Sequence, residues 1–251
     1  MGEVTLVTGG SRGIGAAVAV RLAGAGHRVG LGYEPAGDAE EAAGEVARRI
    51  RERGGACLLF PLDTGDAGQV DAFFDAVKEQ LGPVTGLVNN AGITGPLGRF
   101  TETPVEVMRR VVDVNLMGAL LCARRAALEM STRYGGDGGA IVNVSSGGAT
   151  SGNPGEYVHY AASKSAVDAL TVGLSKELGP DGVRVNSVQP GMVVTGVHAP
   201  AADPAGPWRD PEHVPMRRPG QPEEIAGAVA WLLSADASYT TGAVLRIAGG
   251  L

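Results

Sequence analysis

Val4-Thr5-Leu6-Val7-Thr8-Gly9-Gly10-Ser11-Arg12-Gly13-Ile14-Gly15 is the stretch whose reading decides the fold. Val4 to Val7 is a short apolar run of the buried-strand kind, the glycines break it, and a helical pattern follows from Ile14 to Ala25. Glycines at such a strand-to-helix turn let backbone N–H groups approach a pyrophosphate at the helix N-terminus. The spacing is Gly-x-x-x-Gly-x-Gly; Val18 stands where a Gly-x-Gly-x-x-Gly frame would need its third glycine. By itself the turn reads equally well as a tight βα connection that binds nothing. It also fits Gly-x-Ser-x-Gly, with Ser11 as a hydrolase nucleophile. The partners available for that chemistry, His198 or His213 with Asp203 or Asp210, lie in a loop rich in Pro and Gly. No strand places them beside Ser11, and Gly15 and the residues around 160 are left without a use.

Working outward, apolar runs alternate with amphipathic stretches. Strands are expected at Arg28 to Gly32, Cys57 to Phe60, Gly86 to Val88, Ala140 to Val144, Val183 to Val188 and Ala243 to Ile247. Between them fall helices at Asp38 to Arg53, Val70 to Leu81, Tyr157 to Leu178 and one opened by Pro222, plus one long helix from about Pro104 to Met130. This alternation predicts an α/β fold, a parallel sheet with helices on both faces. No linker or repeat divides the chain, so residues 1–251 are read as one domain. The aperiodic segment from Gly191 to Gly220 reads as a substrate lid or as a surface loop.

Composition narrows the class. With 44% apolar and 19% charged residues the chain is neither disordered nor fibrous. The 40 glycines have no three-residue period, which excludes collagen. A net charge of −6 and 4% aromatics give no nucleic-acid face. Cys57 and Cys122 form neither a disulfide framework nor a metal-ligand spacing. No apolar run reaches the ~18 residues of a membrane span, and no basic n-region marks a secretory signal. A soluble cytoplasmic protein is expected.

Later strand ends supply further polar groups. Asp63 follows strand three, where a carboxylate can accept from an adenine amino group or cap the next helix. Asn89-Asn90-Ala91-Gly92 follows strand four, at the sheet edge where open α/β sheets hold their ligands. Tyr160-Ala161-Ala162-Ser163-Lys164 sets a Tyr and a Lys one turn apart on one helix face. A phenol of pKa ~10 is a poor acid–base group at neutral pH; an adjacent ammonium favours the phenolate. An ordinary solvated pair has the same spacing. However, only Lys78, Lys164 and Lys176 are lysines among 21 basic residues, which points to a specific need for Lys here.

Taken together, these motifs resemble the short-chain dehydrogenase/reductase family, along with Asn143-Val144-Ser145-Ser146, Pro190-Gly191 and Glu223-Glu224-Ile225-Ala226. The resemblance covers nearly the whole chain and implies a Rossmann-type, doubly wound, seven-stranded sheet. It implies an oxidoreductase interconverting a ketone or aldehyde with an alcohol, with a catalytic set of Asn115, Ser146, Tyr160 and Lys164. Tyr160 would exchange the proton with the substrate oxygen. Lys164 would lower its pKa and hold the nicotinamide ribose, Ser146 would bond the substrate oxygen, and Asn115 would help hold a water linking Lys164 to solvent. Ser146 stands one residue further from Tyr160 than the family's usual spacing and Ser145 two, so either serine fits, with Ser146 preferred. An extra residue around Asn153-Pro154-Gly155-Glu156 accounts for the difference.

By the same resemblance the cofactor is held by Gly9, Ser11, Arg12, Gly13, Ile14 and Gly15, by Tyr33, Asp63, Asn89, Ala91 and Gly92, and by Tyr160, Lys164, Pro190, Gly191, Val193 and Thr195. Tyr33 stands where NAD-selective members carry Asp, and Arg12 is placed as in members that pair a 2′-phosphate. NADP(H) is therefore preferred, with NAD(H) as the alternative because Glu34 would repel that phosphate. The carbonyl reductase and 3-oxoacyl-thioester reductase branches look most similar; an NAD(H)-dependent alcohol or sugar dehydrogenase and a non-catalytic dinucleotide-binding regulator are the other readings. A homotetramer is implied, acting on a small molecule, with no nucleic acid, membrane or metal partner.

Overall fold

The computed structural model describes residues 2–195 and 214–251. Most of the expected lid, and with it His198, Asp203, Asp210 and His213, lies outside the described residues.

Seven strands form one parallel sheet: β1 Val4–Thr8, β2 Arg28–Tyr33, β3 Cys57–Pro61, β4 Gly86–Asn89, β5 Gly139–Val144, β6 Val183–Pro190 and β7 Val244–Ile247. Their spatial order is β3-β2-β1-β4-β5-β6-β7. The chain thus winds outward one way from β1 and, after returning, the other way from β4. The crevice outside the carboxyl ends of β1 and β4 is the switch point where such sheets bind ligands.

Helices cover both faces. On one side α1 (Gly13–Gly24), α2 (Ala39–Arg51) and α8 (Pro222–Leu233) pack with Val7, Val142 and Val188. On the other, α3 (Ala67–Leu81) and α5 (Gly118–Met130) close over Leu6, Leu87 and Ile141, with Leu178 of α7 (Val158–Leu178). Adjacent residues of one strand therefore serve opposite cores, Leu6 one and Val7 the other, as the two-residue pleat dictates. Burial on both faces is why the strands read as near-continuous apolar runs.

The long helix expected from Pro104 to Met130 is interrupted. It runs as α4 (Val105–Val112), a π-helical turn over Asp113–Met117, and then α5. The physical reason sits inside the turn. Asn115 Oδ1 accepts from Ile93 N at 2.8 Å and its Nδ2 donates to Ile93 O at 2.9 Å, tying the helix to the chain beyond β4. A four-residue helix, α6 (Gly148–Ser151), follows β5. No helix among the described residues is long and apolar enough to cross a membrane.

Candidate active site

A cleft of about 390 Å3 opens at the switch point, a size ordinary for a small-molecule site. Thr8, at the end of β1, stitches its walls together. Its Oγ1 accepts from the amides of Asn90 and Ala91 at 3.0 Å each, and Asn90 Nδ2 returns bonds to the carbonyls of Thr8 and Gly9 at 2.9 Å. The close approach explains the glycines. Gly9 has φ +64° and a Cβ there would lie 2.9 Å from Ala91 Cα; a Cβ on Gly15 would lie 2.3 Å from Gly9 O.

The same turn forms the N-terminus of α1. Arg12 occupies its N-cap position without a capping side-chain bond, and the first turn carries no acid. By contrast, Asp66 caps α3 by accepting from Gly68 N and Gln69 N. The α1 terminus, with Ser11, Arg12, Gly13 and Ile14 lining the cleft, thus offers its amides and dipole to an anion. Thr195 lies over it, its Cγ2 3.1 Å from where a Gly13 Cβ would stand. These features fit the pyrophosphate of a dinucleotide.

Two expected cofactor residues turn elsewhere. Asn89 is buried, its Nδ2 donating to Ala119 O at 3.2 Å and Asn143 Oδ1 at 3.0 Å, while its neighbour Asn90 lines the cleft. Tyr33 packs into the core under α1 and α2, and Glu34 lines the cleft in its place. In both pairs the alternation along the strand sends one side chain inward and brings its neighbour to the cleft. Ala91, Gly92, Asp63, Pro190, Gly191 and Val193 do line it.

Asp63 does not cap α3, since Asp66 does. Its carboxylate accepts from Gly65 N at 2.9 Å and from Arg110 Nη1 at 2.9 and 3.2 Å. Burial works against its charge, but Arg110 and the Gly65 amide outweigh this and hold the carboxyl below its usual pKa. Arg110 also bonds Glu34 at 3.0 Å, and Arg12 pairs with Asp38. Arg110 and Asn90 are polar lining residues outside the expected cofactor set, and Glu34, expected only as a source of repulsion, lines the cleft as well. For Asn90, adjacency to Asn89 was the available signal. For Arg110, 47 residues from Asp63 along the chain, there was none.

Deeper in the cleft, α7 presents Tyr160 and Lys164, both buried. Lys164 Nζ donates to Val144 O at 2.8 Å and lies 5.9 Å from the centre of the Tyr160 ring. The two candidate serines diverge. Both line the cleft, but Ser145 Oγ donates to Lys164 O at 3.1 Å, whereas Ser146 Oγ accepts from Gly148 N at 3.1 Å and lies close enough to the Tyr160 phenol to act on its charge. Between Ser146 and Tyr160 the chain passes through α6 and through Asn153, whose φ is +42°.

Electrostatically, burial dominates. It pushes the Tyr160 pKa above its usual value, and the Ser146 hydroxyl pulls the other way. Burial also brings Lys164 down to about 8, against the pull of Asp168 one turn along α7. The expected lowering of the Tyr160 pKa by Lys164 is thus not what the protein alone achieves. Both groups pay for desolvation, which favours their neutral forms.

Asn115 sits in the π-helical turn with its side-chain amide fully engaged. Both Nδ2 hydrogens are committed, to Ile93 O and to Ser163 Oγ at 3.0 Å, so its amide has no N–H left for a water. Beside it, Asn115, Lys164, Thr8 and Thr64 line a polar cavity of about 10 Å3, at the lower limit of the space one water needs. As for the hydrolase reading, the described histidines lie elsewhere: His27 bonds Thr5 and Glu3, and His159 bonds Thr94 O.

A doubly wound sheet with an anion-binding turn at its switch point and a buried Ser–Tyr–Lys group beside it defines a dinucleotide-dependent oxidoreductase class. Comparison with known proteins makes this specific. Residues 9–251 match a family described as enoyl-(acyl carrier protein) reductase. The chain is 45% identical to the uncharacterized oxidoreductase YgfF of Escherichia coli, over 98% of this chain and 99% of that one. It is 39% identical to 3beta-hydroxysteroid dehydrogenase 1 of Eggerthella lenta, over 100% and 94%. A short-chain dehydrogenase from Burkholderia cenocepacia, solved in complex with NADP, superposes with a TM-score of 0.90 at 33% identity, over 100% and 98%. The chain belongs to the short-chain dehydrogenase/reductase family and is an oxidoreductase.

Proposed function

We propose that the protein interconverts a small ketone or aldehyde with an alcohol using NADP(H), with Tyr160 as acid and base. The observation that carries this reading is the buried Tyr160, beside Ser146 and one turn from Lys164 on the wall of the cleft. When bound, the nicotinamide supplies or accepts the hydride.

In the direction of reduction, Tyr160 gives its proton to the carbonyl oxygen. Its raised pKa keeps that proton in place at neutral pH until a substrate oxygen gaining charge takes it. Ser146, fixed from behind by the Gly148 amide, donates to the same oxygen and steadies the developing charge. Lys164, charged at pH 7 and held by Val144 O, is oriented to bond ribose hydroxyls and to favour the phenolate left behind. The water-sized cavity beside Lys164 gives the proton a way back, with Asn115 shaping its wall rather than donating into it. In oxidation the same groups act in reverse.

NADP(H) is supported by Arg12 at the anion-binding turn and by the NADP-bound relative. Glu34 on the cleft wall favours the NAD(H) reading. Residues 1–251 act as one domain. A homotetramer acting in the cytoplasm is the proposed state; exposed apolar side chains, Val105, Val112 and Met117 along α4 and the turn after it and Trp231, Val244 and Leu245 on α8 and β7, support the association. The test of function is NADPH oxidation across a broad panel of carbonyl compounds. Turnover of at least one class is expected; tight NADPH binding with no turnover on any member overturns the reading in favour of a non-catalytic regulator.

A further inference from the structure

We propose that Arg110 sets the nucleotide specificity of the cleft by occupying and neutralising Glu34. The inference rests on the cleft being the dinucleotide site. An acid about 20 residues past a glycine turn, at the end of β2, is placed to accept from a ribose 2′-hydroxyl and to repel a 2′-phosphate. Glu34 is such an acid and lines the cleft. Left alone it would select against NADP(H).

Glu34 is not alone. Arg110 reaches it from α4, 76 residues further along the chain, and Nη2 donates to Glu34 Oε1 at 3.0 Å. The same guanidinium bonds Asp63 through Nη1, so it bridges the ends of β2 and β3 through different nitrogens. A lysine could not reproduce this fork. Arg12, the other arginine on the wall, is engaged by Asp38 instead, so the counter-charge to Glu34 comes from Arg110. The pairing offsets the repulsion and engages Oε1, one of the two acceptor oxygens that a 2′-hydroxyl could use.

The two arms of Arg110 have separable consequences. Asp63 stands at the end of β3, on the side of the adenine, which NADP(H) and NAD(H) share, so that arm alters both affinities together. Glu34 stands where the two differ, so this arm alters their ratio.

The test is calorimetric titration of NADP+ and of NAD+ into the wild type, Arg110→Gln, Glu34→Gln and the double variant, with no substrate present. Thermal melting confirms that each is folded. Arg110→Gln is expected to shift the ratio of dissociation constants about tenfold toward NAD+, the size of one uncompensated charge in a partly solvated site. Glu34→Gln alone moves it toward NADP+, and the double variant returns it to within about twofold of wild type. A ratio unmoved by Arg110→Gln overturns the proposal. So does a shift that persists in the double variant, which would mean that Arg110 touches the phosphate itself, and so does a shift toward NAD+ in Glu34→Gln alone. Wild type that binds neither dinucleotide is a distinct outcome: it removes the reading of the cleft, and this inference with it.

Discussion

Lys164 Nζ is bonded to the main-chain carbonyl of Val144, the last residue of β5, at 2.8 Å, while Ser145 Oγ returns a bond to Lys164 O at 3.1 Å. The two bonds lock α7 to the strand end that carries Ser146. Tyr160 and Ser146 come from different elements, and this lock fixes their separation. In the proposed reading Ser145 serves the scaffold and Ser146 the chemistry.

Exchange of each serine separates these roles. Ser146→Ala removes a donor to the reacting oxygen and is expected to lower kcat by about 10²–10³. Ser145→Ala removes one buried hydrogen bond and is expected to lower stability by about 1 kcal/mol with most of kcat retained. Steady-state kinetics with thermal melting checks both, and the reverse pattern contradicts the assignment.

Lys164 makes stability depend on pH in a definite direction. Its folded pKa of about 8 lies below the ordinary 10.5, so between these values the unfolded chain holds more protons and stability rises with pH. Below pH 8 the burial of the ammonium opposes folding in full. Lys164→Met is therefore expected to be more stable than wild type at pH 7, by on the order of 1–3 kcal/mol, and inactive. Denaturant melts from pH 7 to 10.5 should show the gap closing; a gap independent of pH contradicts the account.

Asp168 accepts from Ser187 Oγ at 3.0 Å and from Gln189 Nε2 at 2.7 Å, and its charge supports that of Lys164 one turn away. Removing the charge leaves burial unopposed. Asp168→Asn is expected to move the alkaline limb of the kcat profile to lower pH, with the KM for the dinucleotide little changed. A profile that falls in height without moving along the pH axis contradicts this.

Arg12 tests the other side of the nucleotide reading. Arg12→Gln is expected to raise the KM for NADPH about tenfold, the loss of one charge-assisted bond to a phosphate, and to leave that for NADH within about twofold. Equal effects on both would place Arg12 on the shared pyrophosphate instead.

Much of the fold was legible because a sheet buried on both faces writes its strands as plain apolar runs. The break at Asp113–Met117 was not, since that segment contains neither Pro nor Gly. A tertiary contact imposes it, the pairing of Asn115 with Ile93. At the cleft, the glycine turn, Tyr160 and Lys164 could be picked out by type and spacing. Whether Asn89 or Asn90, and Tyr33 or Glu34, faced the cleft depended on the pleat of each strand end, which a run of letters does not give. Arg110 depended on the crossing of α4 over the ends of β2 and β3, a relationship between distant segments with no local signature.

The central claim is that Tyr160 moves the proton. Its most direct measurement is the turnover of Tyr160→Phe beside wild type with NADPH and a carbonyl substrate that wild type reduces, together with NADPH affinity. The substitution deletes the hydroxyl and keeps the buried ring. A fall in kcat of about 10²–10⁴ with NADPH still bound is expected. Wild-type turnover in Tyr160→Phe would contradict it.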